Sequence, residues 1–139
     1  MENEIPKIGV GVVVTKNKKI LLSQRKNALG AGEYALPGGH LEYNESFENC
    51  AKRELKEEAG ITINNIKFLC VANLIQYNAH YVGIALQADW ESGEPQVLEP
   101  EKSGNWEWYD LDKLPNGPLF GVLNSVIECY KTGRNYFDA

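Results

Sequence analysis

Residues 39–61, GHLEYNESFENCAKRELKEEAGI, leave the chain less conformational freedom than any other stretch. From Phe47 to Ala59 there is no proline, glycine or β-branched residue, so nothing local opposes a helix. The Ser46 hydroxyl can take up an orphan amide of the first turn, and Gly60 stands where a left-handed residue would end the helix. Phe47, Cys50, Ala51, Leu55 and Ala59 recur at spacings of three and four, an apolar stripe. Glu54, Glu57 and Glu58, at i, i+3 and i+4, share another face. Merely solvated, each like-charged pair costs about 0.2–0.5 kcal/mol. A hard divalent cation such as Mg²⁺ would turn that cost into a gain. Spacing alone leaves both readings open, a solvated acidic face and a metal site.

The letters around those glutamates narrow the choice. Gly39, Glu45, Arg53, Glu54, Leu55, Glu57, Glu58, Gly60 and Ile61 fill nine positions of the pattern G-x5-E-x7-R-E-U-x-E-E-x-G-U, where U is a bulky aliphatic residue. The stretch resembles the Nudix box, and the chain is similar to the Nudix hydrolases. The resemblance implies an α/β fold, an α/β/α sandwich with a mixed sheet. It also implies cleavage of a nucleoside diphosphate linked to a further group. Mg²⁺ or Mn²⁺ would be held by Glu54, Glu57, Glu58 and the Gly38 carbonyl. Arg53 would orient a neighbouring glutamate, and Glu45 would fix the loop–helix geometry. The general base stays open between a box glutamate and the later carboxylates Glu99 and Glu101.

A net charge of −5 argues against electrostatic binding to nucleic acid or anionic membranes. An anionic substrate must therefore rely on local cations, either bound metal or a few basic side chains. No apolar run approaches the ~20 residues of a membrane helix, and no signal peptide is visible. Cys50, Cys70 and Cys129 are odd in number and lack a CxxC pairing, which reads as buried thiols in a reducing compartment, the cytoplasm. At 139 residues, with neither repeat nor linker, residues 1–139 are expected to form a single domain.

Taken in order, residues 1–6 read as a loose tail. Ile8–Thr15 and Ile20–Ser23 read as strands turning at Asn17. Gly9 and Gly11 lie on one face of the first strand, either as tolerated glycines or as room for a substrate beside the backbone. Asn27–Gly32 reads as a loop and Tyr34–Leu36 as a short strand. Pro37 and the Gly38–Gly39 turn then let the backbone pass close to a ligand. After the box, Ile66–Gln76 and His80–Trp90 look like a hairpin, Glu91–Gly104 a loop, and Trp106–Tyr109 a strand. Pro118 is placed to open a last helix with Leu119, Val122, Leu123, Val126, Ile127 and Tyr130 as its apolar face, and Gly133 to stop it.

The resemblance reaches beyond the box, through Gly9–Val12, Leu36–Glu42, His80–Val82, Glu99–Lys102 and Trp106–Trp108. It points to a subgroup that includes nucleotide-pool enzymes acting on guanine nucleoside triphosphates, oxidised ones among them. By that resemblance Arg25 lies beside the phosphates or substrate tail, and His40 either hydrogen-bonds in the site or is structural. Gly9, Gly11 and Gly39 would give the substrate room. Phe120 would stack on a base, with Gly121 where relatives often carry a second aromatic. The expected activity is release of pyrophosphate from a purine nucleoside triphosphate. Alternatives are another diphosphate, such as a prenyl diphosphate or nucleotide sugar, and a non-catalytic nucleotide-binding module. The resemblance implies a homodimer, common in this subgroup; three tryptophans and seven tyrosines offer aromatic surface for an interface, or are simply core.

Overall fold

A computed structural model describes residues 4–26, 30–121 and 123–138. Strands β1 (Lys7–Lys16), β2 (Lys19–Gln24), β3 (Tyr34–Ala35) and β4 (Gly38–His40) precede helix α1 (Phe47–Ala59). Then follow β5 (Thr62–Gln76), β6 (Ala79–Ser92), β7 (Glu107–Asp110), helix α2 (Leu123–Thr132) and β8 (Tyr136–Asp138). The sheet runs β3-β2-β1-β6-β5-β8, with β4 pairing β1 and β7 pairing β2. It is mixed, because β1–β6 and β5–β8 are parallel and the remaining pairs antiparallel. The α/β fold with a mixed sheet is therefore the one observed.

The period-two pattern of β1 sorts its valines between two cores. Val10, Val12 and Val14 pack with Cys50, Ala51, Leu55 and Ala59 of α1. Val13 packs with Leu123, Val126, Ile127 and Cys129 of α2, so the sheet lies between the helices. By the same alternation Gly9 and Gly11 face the α2 side. All three cysteines are free and buried. Among the described residues, no helix is long and apolar enough to cross a membrane.

Helix α1 has the expected bounds. The Ser46 side chain accepts the Asn49 amide at 3.1 Å, and Gly60 ends the helix at φ +70°. Phe47, the first residue of the helix, departs from the expected stripe: it is 44% exposed, and the buried positions are Cys50, Ala51, Leu55 and Ala59. The other departures involve pairing between distant segments. Gly38–Gly39 is a strand paired with β1 rather than a free turn. Pro118 does not open α2, since its carbonyl and the Phe120 amide are both bonded to Tyr34 and Leu119 bridges to that residue. The helix begins at Leu123, and the expectation at Val122 falls outside the described residues, as do residues 1–3 of the tail and 27–29 of the loop. Strand β8 has no counterpart in the sequence reading; it joins β5 in parallel through Val71, Ala72 and Asn73.

Candidate active site

The box helix and β4 meet edge to face, and glycine makes the meeting possible. Gly38 has φ +155°, and a side chain there would run into the Val10 backbone. At Gly39 a Cβ would overlap the Glu54 carboxyl group. The Gly38 amide donates to Glu58 Oε1 at 2.8 Å, so the amide is satisfied by the helix.

Arg53 organises the carboxylates around it. Its Nε donates to Glu45 Oε2 at 2.7 Å and its Nη2 to Glu45 Oε1 at 3.0 Å, a bidentate pair. Its Nη1 donates to Glu54 Oε1 at 3.0 Å and Glu57 Oε1 at 3.3 Å, and Nη2 also reaches the His40 carbonyl at 3.1 Å. Glu45 Oε1 in turn accepts the Glu42 amide at 3.0 Å, which ties the loop to the helix. The Arg53 bond, with the Glu42 amide adding to it, holds the Glu45 carboxyl down at about 2.

Glu58 lies in the opposite electrostatic situation. Burial pushes its carboxyl up to about 8, against the pull of the Gly38 amide, and the charges of Glu54 and Glu99 push the same way. Glu54 is raised too, by burial first, with Glu57 and Glu99 adding and Arg53 opposing. The charge of the loop carboxylate Glu99 bears on Glu54 and Glu58. Its side chain is 24% exposed and its Oε2 lies 3.7 Å from Lys102 Nζ, whereas Glu101 is exposed. The loop is held to the helix: the Leu98 amide and Trp106 Nε1 donate to the Glu58 carbonyl at 3.3 and 3.2 Å, and the Gln96 amide to Ala59 at 2.9 Å. These bonds take up carbonyls that the end of a helix leaves without partners.

Among the described residues, no three His, Cys, Asp or Glu side chains converge on a point that would hold a metal ion. Glu58 is turned to Gly38, and Glu54 and Glu57 to Arg53. The donor chemistry nonetheless fits a hard divalent cation. Glu54 and Glu58 are carboxylates whose charged forms are disfavoured by burial and by neighbouring carboxylates, and a bound cation would relieve both costs. A surface groove of about 620 Å³ beside α1, lined by Lys52, Lys56, Asn64 and Glu91 among others, includes none of Gly38, Glu54, Glu57 or Glu58. The carboxylates lie outside it.

A family model described as the NUDIX domain matches residues 5–127. The chain belongs to the NUDIX family of hydrolases. A MutT NUDIX hydrolase structure from Burkholderia pseudomallei superimposes with TM-score 0.84 at 37% identity, covering 90% of this chain and 98% of that one. An ADP-ribose pyrophosphatase of Methanocaldococcus jannaschii is 34% identical over 132 residues, 94% of this chain and 76% of that protein. An oxidized purine nucleoside triphosphate hydrolase of Danio rerio is 32% identical over 110 residues, 75% of this chain and 66% of that protein.

On the α2 side of this Nudix sheet lies a floor almost without side chains, where Gly9 pairs with Gly83 and Gly11 with both Ala85 and Gly38. A Cβ on Gly9 would meet Tyr81 at 3.9 Å, and one on Gly11 would meet Leu36 at 3.6 Å, both ordinary contacts. His40 stacks on Tyr81, with ring centroids 5.6 Å apart and Nε2 3.1 Å from the hydroxyl. Partial burial, with Lys7, Lys102 and Arg25 nearby, lowers the imidazole below its ordinary value, so it is neutral at pH 7. Arg25 lies with its Cζ 4.0 Å from the Phe120 ring centre; burial lowers its guanidinium below the ordinary value, against the opposing charge of Glu58. Phe120 also stacks on Tyr77, centroids 5.2 Å apart. A base would enter that stack only by displacing one of the two partners, so the expected stacking on Phe120 is not open as the side chains stand. Tyr77, Tyr81, Gly83 and Lys102 are not among the residues that the sequence singles out; the His80–Val82 and Glu99–Lys102 segments carry a signal for Tyr81 and Lys102, without pointing to either residue.

Proposed function

We propose that this Nudix enzyme is a Mg²⁺- or Mn²⁺-dependent pyrophosphohydrolase of purine deoxynucleoside triphosphates, guanine and modified forms preferred, yielding monophosphate and pyrophosphate. The observation that carries the reading is the packing of Glu54 and Glu58 of the box helix against the Gly39 backbone and the Gly38 amide. A bound divalent cation neutralises a diphosphate and acidifies water. Glu54 and Glu58, with Glu57 and the Gly38 carbonyl, would hold it. Arg53 keeps Glu54 and Glu57 oriented, and Glu45 keeps Arg53 in place. Glu99, or Glu101 in its stead, accepts the proton of the attacking water. As the water oxygen bonds to phosphorus, the bond to the leaving pyrophosphate breaks. Arg25 steadies the phosphates, while Gly9, Gly11 and Gly39 leave room for the rest of the substrate beside His40. In this reading residues 1–139 act as one domain and as a homodimer in the reducing cytoplasm. The exposed Phe68, Ile75 and Tyr136 of the adjoining strands β5 and β8 are candidates for the dimer face. Light scattering reporting a 15.6 kDa particle at micromolar concentration would rule the dimer out.

One observation favours a second substrate, a sugar-linked nucleoside diphosphate. A relative aligned with 94% of this chain and 76% of its own length is named an ADP-ribose pyrophosphatase. Assaying dGTP and ADP-ribose side by side, with and without added inorganic pyrophosphatase, separates the readings. Phosphate from dGTP only when the helper enzyme is present supports the first. Preferential cleavage of ADP-ribose replaces it with the second, and phosphate from dGTP without the helper means terminal cleavage and defeats the first.

A further inference from the structure

The β5–β6 hairpin turns on Tyr77 and Asn78, both left-handed at φ +56° and +55°. Two consecutive left-handed residues make a two-residue turn of the kind that favours asparagine and glycine. Asparagine suits this conformation; tyrosine does not, and a bulky residue held there is a reason to ask what its side chain does. The Tyr77 side chain reaches back across the molecule. Its hydroxyl donates to Glu33 Oε1 at 2.6 Å and accepts the Gly121 amide at 2.8 Å. Its ring lies within 17° of parallel to Phe120. Gly121 adopts φ +54°, which suits glycine and aims its amide at the tyrosine.

The three segments joined in this way carry the wall beside the box. The Arg25 amide donates to the Glu33 carbonyl at 2.9 Å, and the Gly32 amide returns to the Arg25 carbonyl at 2.8 Å. A Cβ on Gly30 would collide with Phe120 and Glu33 together, so the Gly30–Glu33 turn packs against that same ring. Arg25, which covers Phe120, also feels the charge of Glu58. Tyr77 thus stands at one end of a packed series, Tyr77–Phe120–Arg25, in which ring stacks on ring and guanidinium on ring.

We infer that Tyr77 is a positioning residue that sets the Arg25–Phe120 wall of the substrate site and thereby the affinity for the part of the substrate beyond the diphosphate. The inference rests on the proposed function for the identity of that site. It acts through Arg25 and Phe120, and no substrate contact is assigned to Tyr77 itself. Because such a wall holds substrate and transition state about equally, its loss raises KM and spares kcat.

The test compares Tyr77→Phe, which keeps the ring and loses both hydroxyl bonds, with Tyr77→Ala, Glu33→Ala and the control Tyr43→Phe, at a side chain that is 94% exposed. KM and kcat are measured for dGTP and ADP-ribose. Affinity for dGMP and AMP is measured by calorimetric titration without added metal. Tyr77→Phe and Glu33→Ala should each raise KM about fivefold to tenfold with kcat within about twofold, and weaken monophosphate binding by a similar factor. Tyr77→Ala should do more, and Tyr43→Phe nothing. A tyrosine with only a structural role would lower the melting temperature and leave KM unchanged, and that result overturns the inference. If Tyr77→Phe does not fold, Glu33→Ala decides by the same criterion. If the wild-type protein cleaves neither substrate, the proposed activity is wrong and the monophosphate titrations alone judge Tyr77. Equal affinity in wild type and variant, or no monophosphate binding at all, then overturns it.

Discussion

The Glu54 carboxylate occupies the space that a side chain on residue 39 would fill. The glycine is therefore needed for room, and the room is taken by a residue proposed to hold metal. Gly39→Ala should push Glu54 off its place while β4 keeps its pairing with β1. A displacement of about 1 Å in such a group can cost about 10²-fold in rate. We expect kcat/KM to fall by about that factor with only a modest drop in melting temperature. Wild-type kinetics in Gly39→Ala would show that Glu54 does not need this position.

Glu54→Gln and Glu58→Gln keep shape and lose a charged donor. Turnover should drop by orders of magnitude in each, with circular dichroism unchanged. Mn²⁺ affinity, read by titration calorimetry, should fall in parallel. Near-normal rates with Mg²⁺ in either variant would sink the assignment of these residues to a metal.

The raised carboxyl of Glu58 gives metal-free protein a definite pH dependence. A folded-state value near 8 against an ordinary 4.5 means that the folded state holds its proton more tightly than the unfolded state. The resulting stability is fully present below about pH 4.5 and is lost as pH rises toward 8. In chelator, the melting temperature of wild type should therefore decline from pH 5 to pH 9 relative to Glu58→Gln, which has no proton to lose there. Parallel curves for the two proteins would contradict the burial argument.

The loop carboxylates make a paired comparison. Glu99 bears on Glu54 and Glu58, whereas Glu101 is exposed. Glu99→Gln should lower kcat about 10²-fold or more, the lower range for loss of a general base, and Glu101→Gln should have a small effect. The reverse order would return the proton-accepting role to Glu101.

Helix α1 was legible to the residue because its signals are local, with a cap at Ser46, a stop at Gly60 and a stripe in between. What the sequence did not disclose depends on distant partners. Pro118 looks like a helix opener until Tyr34 engages the backbone of residues 118 and 120, which leaves the helix to start at Leu123. Strand β8 is three residues long and exists because β5 offers it an edge. The box pattern identified the glutamates, but only the packing showed Glu58 bound to the Gly38 amide and Glu99 facing the helix. Tyr77 was invisible as more than a turn residue, since its partners lie 44 positions away on either side.

Strand β1 pairs with β6 in parallel from Lys7↔Tyr81 to Thr15↔Asp89, residues 74 apart. A ribosome adding about 5–20 residues per second needs about 4–15 s to supply that partner. During that interval α1 has been made but only part of its seat exists, since Leu86 and Ala88 of its core arrive with β6. The box carboxylates therefore cannot be set in place piecemeal as the chain emerges. They come into position late, in one step, and a nascent chain stalled before residue 79 would present the valines of β1 as an open edge for chaperones or for other stalled chains.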